Sequence, residues 1–513
     1  MDLINWRIQS AAPMTNEEIL AELIEGHRES PERKKALIAD RYHHGDQDIK
    51  DKDFQTATIL DENDQEVDFV NKNRSNMKMQ HKFLFSQVEQ KIGYICSKEP
   101  TISVDDAETT EDGKGNLDYQ YQNELSGSTD AKFRKNLLQW IRKASLHGAA
   151  WLHEYKDSRG ALRQIIIGRD CFIPIYDTVF DQELREGIYY FDLVVREGTN
   201  EKIVTKAQWW TDKQVTFYVG DEGEFTLDPD YSVNPAPHFW EVTLTTKKDG
   251  VTPVVKKRVP KTWERIPFIE LANNNNKLTD LEPVKDLIDA YDLVASKGTN
   301  NLMDFNEFYA VIQGFGGDTA SAIVKKLEIN RAVSVNSQGG HVDMKQLDLQ
   351  MAGRIDWLKE LWKAIHVFGQ AVDVTNDQLG NAPSGISLEF QYTLLDLKAD
   401  NMIIEAENAL KEHLAFLTLE LNRKEGKDYD SEKVHVTFNK SRITNDKELV
   451  DMINESINFV PDRILLAAHP LVHDADQAYK DLMEQREKQA KEQKKVFGTL
   501  DREEDADEPG KEE

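Results

Sequence analysis

The chain is poor in cysteine: its 513 residues include two, Cys96 and Cys171, far apart and in no CxxC pattern. That argues against a disulfide framework, offers no zinc-ligand spacing and fits a reducing compartment. Long apolar runs are missing as well. No stretch approaches the roughly 18–20 residues a membrane helix needs. The start, MDLINWRIQSAAPMTNEEIL, has no basic region followed by an apolar core. Neither a membrane span nor a secretory signal is therefore expected. Positive charge is scarce too: 64 Lys+Arg face 92 Asp+Glu, a balance of −28 with a pI of about 5.0. A protein that grips nucleic acid through its phosphates normally carries a basic stripe, because neutralising phosphates releases counterions. This chain either avoids nucleic acid or meets it without gripping.

Catalytic signatures are also lacking. HExxH and GxSxG do not occur. Gly380 and Gly385 do not fit GxxxxGK[ST], because no lysine follows them and Ile386 stands in its place before Ser387. The glycine-rich GFGGD (Gly314–Asp318) and SQGGH (Ser337–His341) read as hairpin turns. His43, His44, Asp46 and Asp48 offer metal-ligand chemistry in principle, but no further cluster completes a set, and histidines at a helix end are expected to face solvent. No acid–base or nucleophilic constellation emerges, so no enzyme, cofactor or metal is expected.

What is present is a polar, segmented chain. Charged residues make up 30% and hydrophobic ones 39%, with a mean hydropathy of −0.62. The length exceeds what one core normally covers, so two or more regions are expected. Thr15 and Glu18 form a capping-box pattern ahead of Ile19, Leu20, Leu23 and Ile24 at helical spacing. Pro31 opens a second helix and Gly45 ends it. ILDENDQEVDFV reads as a hairpin whose acidic cluster lacks the glycine of a calcium loop. A helix is expected from about Met77 to Tyr94, followed by a strand led by Pro100. A second helix–strand unit turns near Gly148, and β-rich sequence then runs to about Phe268. Within it Trp209, Trp210, Phe239, Trp240 and Trp263 could stack bases, but their alternating context favours core packing.

The second half changes character. A helix carries Leu287, Tyr291, Val294 and Leu302 as its apolar stripe. A compact strand–helix–strand insertion follows, then a helix with Ile355, Leu358, Leu361, Trp362 and Ile365. After the loop TNDQLGNAPSG, apolar or small residues recur at Leu388, Tyr392, Leu395, Ala399, Met402, Ala406, Leu410, Leu414, Leu417 and Leu421. That pattern spans roughly 36 residues, or about 54 Å of helix. A strand, KVHVTFNKSRI, precedes two or three helices, the first capped by Thr444 and Asn445 and separated from the next by Pro461. The acidic end, DREEDADEPGKEE, is expected to be disordered.

This order of parts resembles the portal proteins of tailed bacteriophages, in the branch of long-tailed phages of Gram-positive hosts. The resemblance is carried by NRSNMKMQHKFLFSQVEQKIGYICSKEPTIS, AAWLHEYKDSRGALRQIIIGRDCFIPIYD, VKDLIDAYDLVASKGTNNLMDF, TLLDLKADNMIIEAENALK and VTFNKSRITNDKELVDMI, from about Leu37 to Met483. It implies an α+β portal fold and a ring, usually of twelve subunits, at one capsid vertex of the virion, assembled in the host cytoplasm. Double-stranded DNA would pass through its axis. The implied parts are a wing region (1–280), stem helices (281–304 and 349–372), a clip (305–348), a tunnel loop (373–385), a long wing helix with its strand (386–443), a helical crown (444–495) and an acidic tail (496–513).

Site residues follow from the same resemblance. The DNA-facing loop would comprise Val374, Thr375, Asn376, Asp377, Gln378, Leu379, Gly380 and Asn381, in a sequence that departs from the family's run of three glycines. Clip residues Phe308, Tyr309, Gln313, Phe315, Asp318, Lys325 and Lys326 would dock the terminase large subunit and later the head-completion or tail adaptor. Major capsid and scaffolding proteins are further implied partners. Lys285, Lys297, Lys359 and Lys363 would place limited positive charge on the stem. Acidic walls suit such a conduit, since a strongly basic channel would trap DNA. Two other readings remain: a homo-oligomeric scaffold or adaptor with no DNA role, and a metal-dependent enzyme using the His43–Asp48 cluster.

Overall fold

The computed structural model describes residues 14–60, 66–72, 74–107, 115–128, 131–157, 160–177, 183–197, 200–221, 223–246, 253–304, 309–313, 341–345, 351–373, 385–440, 446–457, 459–469, 472, 478–486 and 488. Helices and strands are mixed throughout. The chain divides into two compact units: Met1–Asp373 with Leu394–Ser441, and Val374–Thr393 with Arg442–Glu513.

The first unit starts where the capping box predicts. Thr15 Oγ1 accepts the Glu18 amide (3.2 Å) and Glu18 returns a carboxylate to the Thr15 amide (2.8 Å), opening the helix Asn16–Glu29. Pro31 occupies the first turn of Pro31–His44, and Gly45 ends it at φ 82°, a left-handed position that favours glycine. Asn16–Glu29 lays Ile19, Leu20 and Ile24 on an antiparallel sheet, where Tyr190, Trp209, Tyr218 and Phe225 complete a core. That sheet runs in the order Glu224–Leu227, Gln214–Asp221, Asn200–Trp210, Leu184–Glu197, Phe172–Tyr176.

A three-stranded sheet of Phe268–Ala272, Ala149–Lys156 and Leu162–Gly168 carries the second core. Phe268 stacks on Phe172 (4.6 Å) and on the buried His153 ring (4.2 Å), and Trp210 and Trp151 join the cluster. Trp209, Trp210, Phe239 and Trp263 are all buried. Their indoles and rings are core, not base-stacking platforms.

The long helix spans Gly385–Glu425. From Leu395 to Leu414 its predicted stripe is the buried face: Leu395, Ala399, Met402, Ala406, Leu410 and Leu414 are 0–3% exposed. Toward its C-terminal end the buried face also takes in polar groups. Glu154 and His413 meet at 2.5 Å, and Lys156 places its ammonium 2.7 Å from Glu420, with both pairs almost fully enclosed. Such pairs need their partners, because a lone buried charge is expensive. The strand Val434–Thr437 then returns to pair with Thr101–Val104.

Two expectations are corrected here. The helix expected from Met77 begins at Phe83, and residues 75–82 belong to no helix. Moreover, the buried face of Lys285–Asp304 is not its apolar stripe. Ile288, Asp292, Ser296 and Asn300 are buried, whereas Leu302 is 51% exposed. One arrangement accounts for both differences. The amides of Ser75, Met77, Met79 and His81 donate to side-chain oxygens of Asp304, Asn300, Ser296 and Asp292, at 2.7, 2.7, 2.8 and 3.1 Å. Alternate residues of an extended strand advance about 6.6 Å. Every fourth residue of a helix advances about 6.0 Å, so the two ladders stay in step over four rungs. The extended segment satisfies its backbone on helix side chains in place of a sheet neighbour.

In the second unit, Asp446–Ser456 and Asp462–Ala468 are separated by Pro461, as the sequence indicates. Arg486 closes an ion pair on Asp462 at 2.5 Å. The caps expected at Thr444 and Asn445 lie outside the described residues.

Candidate nucleic-acid interface

The helices Lys285–Asp304 and Met351–Phe368 form a pair in the first unit. Aromatic rings hold them to the start of Phe83–Cys96. Phe83 packs edge-on against Tyr291 and Trp362, each at 5.1 Å, and His366 sits 4.8 Å from Trp362. With its amide oxygen facing Arg354, Asn301 accepts both guanidinium N–H groups at 2.7 and 2.8 Å. The strap of residues 75–81 is bonded to Lys285–Asp304, and His81 Nδ1 adds a 2.7 Å contact to Asp292. Burial raises the Asp292 carboxyl above its ordinary value, an effect that His81 opposes.

The four sequence-predicted lysines divide into two kinds. Lys285 is engaged: its ammonium reaches Asp48 and Asp289, each at 2.7 Å, and lies 5.1 Å from the Tyr42 ring centre. Burial lowers its pKa, but hydrogen bonds to Asp289 and Asp48 outweigh that and leave it raised. This lysine ties the N-terminal helices to the pair. Lys297, Lys359 and Lys363 are exposed, and Lys359 sits 3.4 Å from Asp356. Asp356, Lys359, Glu360 and Lys363 share one exposed helical face with two charges of each sign. That face is not a phosphate-gripping stripe.

Of the insertion, strands Tyr309–Gln313 and His341–Lys345 pair antiparallel, with Tyr309 opposite Lys345 and Gln313 opposite His341. Phe308, Phe315, Asp318, Lys325 and Lys326 lie outside the described residues, as does the loop from Val374 through Thr375, Asn376, Asp377, Gln378, Leu379 and Gly380 to Asn381.

The histidine cluster does not converge. His43, expected at the surface, is buried against Phe85 (5.1 Å), and burial depresses its pKa. His44 turns to the Asp40 carbonyl, Asp46 pairs with Lys50, and Asp48 pairs with Arg41 and Lys285. Among the described residues no group of three or more His, Cys, Asp or Glu could hold a metal ion. No described helix is long and apolar enough to cross a membrane.

A family model described as "Phage portal protein, SPP1 Gp6-like" matches residues 24–492. The chain belongs to this phage portal family. The portal protein of Bacillus phage SPP1 is 25% identical to it over 464 residues, covering 90% of this chain and 84% of that protein. The portal protein of Clostridium phage phiCD119 is 25% identical over 477 residues, covering 89% and 94%. In this portal chain, sequence reasoning missed the strap. The signal for it is a four-residue spacing of short polar residues, Asp292, Ser296, Asn300 and Asp304, along one line of the helix.

Proposed function

We propose that this portal chain assembles into a ring of twelve at one capsid vertex and conducts double-stranded DNA during packaging and ejection. In this reading Lys285–Asp304 and Met351–Phe368 are the stem, and residues 305–348 are the clip that docks the terminase and then the head-completion and tail proteins. Residues 373–385 form the tunnel loop, the long helix and the sheets build the wing, and residues 444–495 are the crown. The observation that carries it is the family match over residues 24–492. The balanced charge on the exposed stem face supports a conduit over a clamp, because mobile DNA needs a surface without deep counterion-release wells. Exposed Trp357 and Phe368, at 55% and 61%, support association of copies through the stem.

Electron micrographs of the purified chain test the ring: axially perforated particles are expected, and monomers alone would refute it. Shortening the loop Val374–Asn381 is expected to leave rings intact and impair DNA packaging. Normal packaging by such rings would remove the loop from the mechanism.

A further inference from the structure

A polar cavity of about 290 Å³ opens in the first unit between the loop Asn273–Asp280, the turn after Met351–Phe368 and the long helix at Lys398 and Asn401. Its charged lining, Asp280 and Lys398, is tied to a buried lysine behind it. The fully buried Lys91 ammonium meets Asp280 at 2.7 Å and the Asn273 side-chain oxygen at 2.7 Å. Lys398 approaches the same Asp280 carboxylate at 3.3 Å and donates to the Gly369 carbonyl at 2.9 Å. One carboxylate thus faces two ammonium groups, and Lys398 lines the cavity. Burial pushes Lys91 down to about 8; Asp280 opposes this and Lys398 adds to it. This network carries one more positive than negative charge at the base of a partly open cavity, where an anion would offset it.

The rest of the lining suits one. Asn275, Asn276, Gln370 and Asn401 carry side-chain amides with no partner among the described residues. Their N–H groups can donate to oxygen without adding charge. Gln370 holds φ 52°, and Lys277, within the asparagine loop, also holds φ 52°. Non-glycine residues keep this left-handed conformation only where their surroundings impose it.

We infer that this cavity is a binding site for a phosphate-type oxyanion, held by Lys398 with the amides of Gln370, Asn401 and the asparagine loop. The site stands on the chain's own geometry and does not require the ring. Its phosphate can come from free inorganic phosphate or from a DNA phosphodiester, which share the chemistry Lys398 recognises.

The test titrates inorganic phosphate into the full-length protein at constant ionic strength and follows the heat. Saturable binding of one phosphate per chain is expected. Lys398→Gln should abolish it. Gln370→Gly removes an amide but fits φ 52° better, so binding should weaken about tenfold while thermal stability holds or rises. Asn401→Ala, on an exposed helical position, should weaken binding without unfolding the chain. A short DNA duplex that displaces phosphate would assign the site to DNA; retained phosphate would assign it to the free anion. No saturable heat with the folded wild type, or unchanged binding by Lys398→Gln and Gln370→Gly, would overturn the site.

Discussion

The long helix Gly385–Glu425 and the helix Lys285–Asp304 have opposite buried faces. From Leu395 to Leu414 the long helix buries hydrocarbon, with Ala399 and Met402 wholly enclosed. Lys285–Asp304 instead buries Asp292, Ser296 and Asn300, and leaves Leu302 and Met303 about half exposed. The first is stabilised by non-directional burial, which tolerates some adjustment of position. The second is stabilised by four directional bonds to residues 75–81, which fix one register. Burial sets how strongly a helix is held, while hydrogen-bond rungs set where it is held.

The largest effect should come from the hydrocarbon side. Leu414, 1% exposed, becomes a cavity in Leu414→Ala. The expected loss is about 2–5 kcal/mol, read from the denaturant midpoint. A loss below about 1 kcal/mol would mean that the long helix is not held by its stripe.

Acid should separate the two regions next. His153 is buried neutral beneath Phe268, and burial lowers its pKa from 6.5 to about 4. Its contribution is complete above about pH 6.5 and is lost as pH falls toward 4, by about 3 kcal/mol in total. Asp292 has the opposite sign. Burial raises its pKa, so its contribution is present at low pH and lost as pH rises through the folded value. Hydrogen exchange at pH 7 and pH 5 should therefore show the sheet amides around His153 losing protection before those of residues 75–81. Simultaneous loss would place both in one cooperative unit, and His153→Gln should flatten the acid dependence.

The strap itself offers the sharper probe. Asn300 accepts from the Met77 amide (2.7 Å) and donates to the Met77 carbonyl (3.0 Å). Asn300→Ala leaves both groups without their partner, at an expected cost of about 1–3 kcal/mol. Amide exchange should accelerate across residues 75–81 and stay unchanged from Leu395 to Leu414. Equal acceleration in both would mean that the rungs carry no register of their own.

The same contrast explains what was legible in the sequence. Capping by Thr15 and Glu18, the Pro31 start, the Gly45 stop and the Leu395–Leu414 stripe are local chemistry, visible without a partner. Residues 77–82 were misread because Met77 and Met79 look helical in isolation. Their extended form depends on acceptors more than two hundred residues away. Asp292, Ser296 and Asn300 look solvent-facing for the same reason: nothing local shows a strand docking on them. His43 was misplaced because a helix-end histidine carries no sign of the Phe85 ring that covers it. At the candidate interface, lysine identity was readable, but the engagement of Lys285 by Asp48 and Asp289 comes from tertiary packing. The portal reading survived these errors because it rested on the order of parts, which no single misread boundary alters.

The smallest expected effect belongs to the exposed face of Met351–Phe368, the proposed stem. Lys359 lies 3.4 Å from Asp356, and both side chains are more than 70% exposed. Water and salt screen such a pair, so Lys359→Ala should change stability by less than about 0.5 kcal/mol. Its value is diagnostic. If the stem face meets DNA only in passing, Lys359→Ala and Lys363→Ala should leave ring formation intact and shift packaging rate only modestly, and more at low salt than at high. A loss of stability above 1 kcal/mol would instead make Lys359 a structural residue like Lys285. The engaged and the exposed lysines of this helix pair would then collapse into one kind.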